Sequence, residues 1–105
     1  MSPPGGSRPL FHHCCLFALA APPDAALLAE LERFSAAFRA AFPAIRRYRF
    51  GANLSRKAGR FGLVLYSAFD DEASFRAYVA SALHDEVAAF LAPLVTETMI
   101  GDIEA

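Results

Sequence analysis

Three histidines and two cysteines are the side chains of this 105-residue chain best suited to moving a proton or attacking a carbon near neutral pH, and they fall in two places. His12, His13, Cys14 and Cys15 form one unbroken run, while His84 stands alone inside Phe75 to Ile103. In that second stretch an amphipathic helix meets the histidine, a further helical turn and a closing strand. An imidazole titrates near about 6.5 and can therefore act as a base. If the first run is a strand, Cys14 and Cys15 point to opposite faces and cannot bridge each other; they read as small buried hydrophobes of a reducing compartment. Immediate neighbours such as His13 and Cys14 likewise face apart, so no thiol paired with an imidazole base is expected. His12 faces away from His13, toward a surface open to a partner, and no metal site is expected there because no Asp, Glu or Cys stands at ligand spacing on that face.

The remaining composition narrows the function further. A net charge of -1 argues against nucleic acid, which needs a basic excess on one face. Arg46, Arg47 and Arg49, followed by Arg56, Lys57 and Arg60, are the one basic concentration and read as a solvated edge strand with its turn. The chain has no phosphate-binding glycine loop, no Walker sequence and no HExxH helix, so no cofactor is expected. Arg8 before the apolar run Cys14 to Ala21 imitates a secretory signal, but two histidines open that run and cleavage would remove the first strand. No run approaches the roughly 18 uninterrupted apolar residues of a membrane span, and a cytoplasmic protein without a membrane partner is expected.

The elements that must position these residues follow from periodicity. Met1 to Arg8 is a Pro/Gly/Ser tail expected to be disordered, and residues 9–105 form one domain. Leu10 to Leu19 is nearly continuous in apolar character, as for a central strand covered on both faces. Pro22-Pro23 ends it and Asp24 caps a helix on which Leu27, Leu31, Phe34, Phe38 and Phe42 recur at spacings of three and four. Ile45 to Asn53 reads as an edge strand with Tyr48 and Phe50 on one face and Arg47 and Arg49 on the other. After a polar loop, Phe61 to Phe69 is a buried strand, and Asp70 or Asp71 caps a helix carrying Phe75, Tyr78 and Val79. The pattern breaks after Ser81, restarts with Val87, Phe90 and Leu91, and closes in a strand from Thr96 to Ile103. The fold class is α+β: a ferredoxin-like β-α-β-β-α-β order, one four-stranded antiparallel sheet with the helices on one face. With 55% hydrophobic residues in so short a chain, the uncovered sheet face is expected to be buried by a second copy, giving a barrel-like homodimer.

Four segments carry a family resemblance: HCCLFAL at His13 to Leu19, FGANLS at Phe50 to Ser55, LYSAFDDEASFRAYVASALH at Leu65 to His84, and VAAFLAPLVTETMIGDIE at Val87 to Glu104. In order and spacing the chain resembles the stress-responsive dimeric α/β-barrel (Dabb) family from Phe11 to Glu104. The resemblance implies a ferredoxin-like subunit and a homodimer whose sheets face each other. Members of the family often have lysine where this chain has Ala18 and Ala20, and a proline before the histidine where Ser81-Ala82-Leu83 leads into His84.

The family includes plant polyketide cyclases of the olivetolic acid cyclase type. That resemblance implies a site of a first-strand histidine, a tyrosine on the second helix and a histidine six residues later, here His13, Tyr78 and His84. In an aldol-type cyclisation His84 would be the base, His13 would orient it through a hydrogen bond, and Tyr78 would donate to the substrate oxygen. Phe17, Phe34 and Phe38 would line an apolar pocket between sheet and helices. The same three residues serve equally in a structural role, tying a helix to the sheet. The expectation is therefore a stress-responsive homodimer that binds a small apolar molecule without an assigned reaction. A cyclase or lyase, a monooxygenase on the same architecture and a purely structural stress protein are the alternatives.

Overall fold

A computed structural model describes residues 8–105, so the expected disorder of the N-terminal tail lies outside the described residues except at Arg8. The elements are β1 (Phe11–Leu19), α1 (Ala25–Ala41), β2 (Ile45–Ala52), β3 (Leu63–Phe69), α2 (Glu72–Val79), α3 (Ala82–Leu91) and β4 (Val95–Glu104). The strands form one antiparallel sheet in the order β2-β3-β1-β4, with the helices on one face. This is the ferredoxin-like arrangement, with one helix more than the sequence pattern counted.

Asp24 caps α1 by accepting the Leu27 N–H at 2.8 Å, and the chain leaves the helix just before Pro43. Along its inner face Leu31 and Phe38 are wholly buried, while Leu27, Phe34 and Phe42 are partly so. Arg39 ties the helix to the edge of the sheet by donating to the Tyr48 carbonyl at 2.8 Å. β2 is an edge strand, as its alternation of inward Tyr48 with outward Arg47 and Arg49 requires. The loop to β3 turns at Gly59, whose φ of 55° lies in the left-handed region that a side chain disfavours.

The break in the second helical pattern is a helix boundary. The Ser81 hydroxyl donates to the Tyr78 carbonyl at 2.7 Å, ending α2, and accepts the His84 N–H at 3.2 Å, starting α3. His84 is therefore not at the interruption itself but in the first turn of the new helix.

β1 lies in the middle of the sheet, yet only one of its faces is covered within the chain. Phe11, His13, Cys15, Phe17 and Leu19 face the helices and are buried. His12, Cys14 and Leu16 face the other way, beside Tyr66 and Val64 of β3 and Met99, Gly101 and Ile103 of β4. Cys14 is exposed there on the same face as His12, which corrects two expectations, that both cysteines are buried and that no cysteine shares the face of His12; alternation sends it to the side that has no helix. Among the described residues no helix is long and apolar enough to cross a membrane.

Candidate functional site

The helix-covered face is tightly packed under α1 and hollow toward β4. Between β1, β4, α2 and α3 lies a cavity of about 530 Å³, within the range of small-molecule sites. His13, Tyr78 and His84 all line it. Of the phenylalanines expected there, Phe17 does so, but Phe34 and Phe38 do not. Phe34 packs against Phe90, and Phe38 is enclosed by Phe42, Tyr48 and Tyr78. The helical stripe that carries them faces the β2 side of the sheet, and the cavity wall is supplied instead by Phe50, Phe75 and aliphatic residues of α3.

His13 does not bond to His84. Its Nδ1 lies 2.6 Å from Asp102 Oδ1, across the β1–β4 pairing where the two residues are directly opposite. A carboxylate only accepts, so Nδ1 carries the proton and donates it. In the uncharged ring Nε2 then accepts, and its partner is the Cys15 thiol at 3.1 Å. Phe75 packs on the imidazole with ring centroids 4.7 Å apart and holds its plane. The expected orientation of one histidine by another is thus replaced by orientation of His13 by a carboxylate and a thiol.

Burial pushes the Cys15 thiol up to about 12, with the charges of Cys14 and Asp102 adding, so it rests as the neutral S–H donor that this geometry needs. His84 stands edge-on to the Tyr78 ring at 5.0 Å, and among the described residues neither of its ring nitrogens bonds to a protein group. Burial, chiefly, lowers its pKa; Asp85 opposes the shift and His13 adds to it. At neutral pH the ring is uncharged and keeps a lone pair for a proton.

Tyr78 and Tyr48 share one hydrogen bond, O to O at 2.8 Å, deep in the core where they are 2% and 1% exposed. Burial raises the pKa of both, that of Tyr78 to about 12, so both remain hydroxyls. Each hydroxyl owns one proton, and the bond between them uses one of the two. Among the described residues no other acceptor takes the second. Both tyrosines border the cavity.

Reading the sequence missed Cys15, Asp102, Tyr48 and Phe75 as members of this site. The period of a strand would have found Cys15, two residues from His13 and on the same face. Asp102 depends on the cross-strand register, which no local pattern reveals.

A family model described as "Stress responsive A/B Barrel Domain" matches residues 11–105. A search of curated proteins finds no significant match. Among solved structures, a dimeric ferredoxin-like protein of unknown function from Thermobifida fusca superposes with a TM-score of 0.76 at 22% identity, covering 100% of this chain and 99% of its own. The hydroxynitrile lyase of Passiflora edulis gives 0.74 at 14%, covering 91% of this chain and 93% of its own. A putative antibiotic biosynthesis monooxygenase from Caulobacter crescentus gives 0.77 at 11%, covering 94% and 92%. At such identities these likenesses establish the fold, and one fold carries many chemistries.

Proposed function

The chain belongs to the stress-responsive A/B barrel domain family, and on that premise we propose that it is a homodimer binding a small, largely apolar molecule with a carbonyl-type oxygen, in the cavity beside His13, Tyr78 and His84. The observation that carries the ligand is an apolar cavity bordered by two hydrogen-bonded tyrosines, whose hydroxyls hold one proton more than the bond between them uses. An acceptor oxygen on the ligand would take that remaining proton, a hydrogen bond with a net contribution of about 0.5–1.5 kcal/mol. The dimer is supported by the open sheet face, where Tyr66, Met99 and Ile103 are exposed around half-buried Leu16 and Val64, and by the dimeric Thermobifida fusca relative. Two free cysteines fit a reducing cytoplasm. Nucleic acid is not a partner on this reading, since Arg46 pairs with Asp70 and Arg60 with Glu97.

The test uses octan-3-one as a saturated apolar ketone. It should raise the unfolding midpoint of the protein, and His84→Ala should weaken that effect while sedimentation still reports a dimer. Leu16→Lys with Met99→Lys should yield monomers. No stabilisation by the ketone would defeat the ligand reading, and a monomeric parent the dimer.

A second reading, an enzyme of cyclase or lyase type, is favoured by one observation: an uncharged His84 without a protein partner beside a tyrosine donor. A base and an oxygen donor on one carbonyl compound promote enolate formation. Protein-accelerated exchange of the ketone's α-hydrogens into D2O would report it by NMR. Exchange at the buffer rate would leave binding alone.

A further inference from the structure

Asp102, His13 and Cys15 form a linear array whose order, carboxylate to imidazole to thiol, is that of a nucleophile with its base and the group that orients the base. We infer that Cys15 is a nucleophile of this cavity, adding to the β-carbon of an α,β-unsaturated ketone whose carbonyl oxygen is held by the tyrosine pair. The inference rests on the ligand reading above and names the class of ligand.

Three features of the geometry converge. His13 and Cys15 lie two apart on β1, so the strand itself delivers both side chains to the cavity, and Asp102 arrives from the residue opposite His13 on β4. Nε2 is positioned to receive the thiol proton because Nδ1 is already committed to the carboxylate. The wall around them is apolar, with Phe17, Phe75, Leu65 and Ile100 suited to a hydrocarbon chain next to the conjugated group. A thiol resting neutral has no standing thiolate, so proton transfer must accompany attack and reactivity depends on the bound ligand.

The step balances without another reactant. The Sγ–H bond breaks as its proton moves to His13 Nε2, and the Sγ–C bond forms at the β-carbon. The π electrons shift toward the carbonyl oxygen, whose developing charge accepts the free tyrosine proton as a hydrogen bond. His13 then returns the proton to the α-carbon. The net change is addition of S–H across the double bond, and nothing else is oxidised or reduced.

The experiment uses the full chain carrying Cys14→Ser, since Cys14 lies on the other face of the sheet, treated with 1-octen-3-one and followed by intact mass and peptide mapping. A single addition at Cys15 is expected, at least about tenfold faster at neutral pH than with free cysteine. Cys15→Ser should abolish it. Asp102→Asn should slow it about tenfold and displace the inflection of the pH–rate profile, because Asp102 acts through the imidazole. Should that variant fail to fold, His13→Gln serves in its place. Addition no faster than with free cysteine, or an unchanged rate and profile in the folded variant, would overturn the inference. Stabilisation by octan-3-one without addition of the enone would overturn it alone and leave the ligand reading standing. Fast addition without stabilisation by the saturated ketone would defeat the ligand reading instead.

Discussion

The helix-covered face of the sheet has two ends built from the same kinds of residue. Under α1, Leu31 and Phe38 are wholly buried with no room left over; under α2 and α3, Val87, Leu91 and Val95 surround a hollow. The difference lies in the cover. One long helix lies along β2, whereas two short helices meeting at Ser81 leave β4 without a lid, so Ile100 on the helix side of that strand is 63% exposed. The lesson is that a local capping choice, a serine that ends one helix and begins another, separates a packed core from a site.

Leucine truncation gives the largest contrast. Leu31→Ala should cost about 4–5 kcal/mol, while Leu91→Ala, which already borders empty space and loses fewer contacts, should cost about 2–3 kcal/mol. Denaturant midpoints at unchanged slope would measure both, and equal costs would break the distinction between the ends. At their boundary, Tyr78→Phe removes one hydroxyl without changing shape. It should cost about 1–2 kcal/mol, since Tyr48 loses its partner, and should reduce octan-3-one binding about tenfold in a titration.

Away from both ends, Asp24→Ala should cost about 1 kcal/mol through the lost cap of α1 while leaving ketone binding as it was, a control for effects of stability alone. The smallest effect is pH dependence at His84. Its folded pKa lies below the unfolded value of about 6.5, so between the two the unfolded chain binds more protons. The contribution is full above about pH 6.5 and is lost as pH falls toward the folded pKa. The unfolding midpoint should decline over that window, and His84→Gln should flatten the decline.

How much of this was legible beforehand depended on the range of the interaction. The strands, the α1 stripe and the Asp24 cap follow from spacings within a few residues, and each is in place. Asp71, one of two capping candidates, is the residue that accepts the Ser74 N–H. Phe34 and Phe38 lie off the pocket because a stripe says which residues face inward, not which part of the interior they reach. The partner of His13 is hidden from local patterns for a related reason: Asp102 is remote in sequence and opposite only through register. Cys15 is the exception, a local relation that the two-residue period of a strand carries, since it shares a face with His13 while their immediate neighbours do not.

β4 supplies Asp102 to the array and, of the strands, pairs with β1 alone, with the mutual backbone bonds of Leu10 and Ala105 securing its far end and Arg60 reaching Glu97 near the other. Nearly all of its residues are exposed in the single chain. Amide protection should therefore be weakest along this strand and, in the dimer proposed above, should rise where the second copy covers it, which would couple the readiness of the array to protein concentration. A dilute sample would lose its carboxylate alignment before it lost its fold.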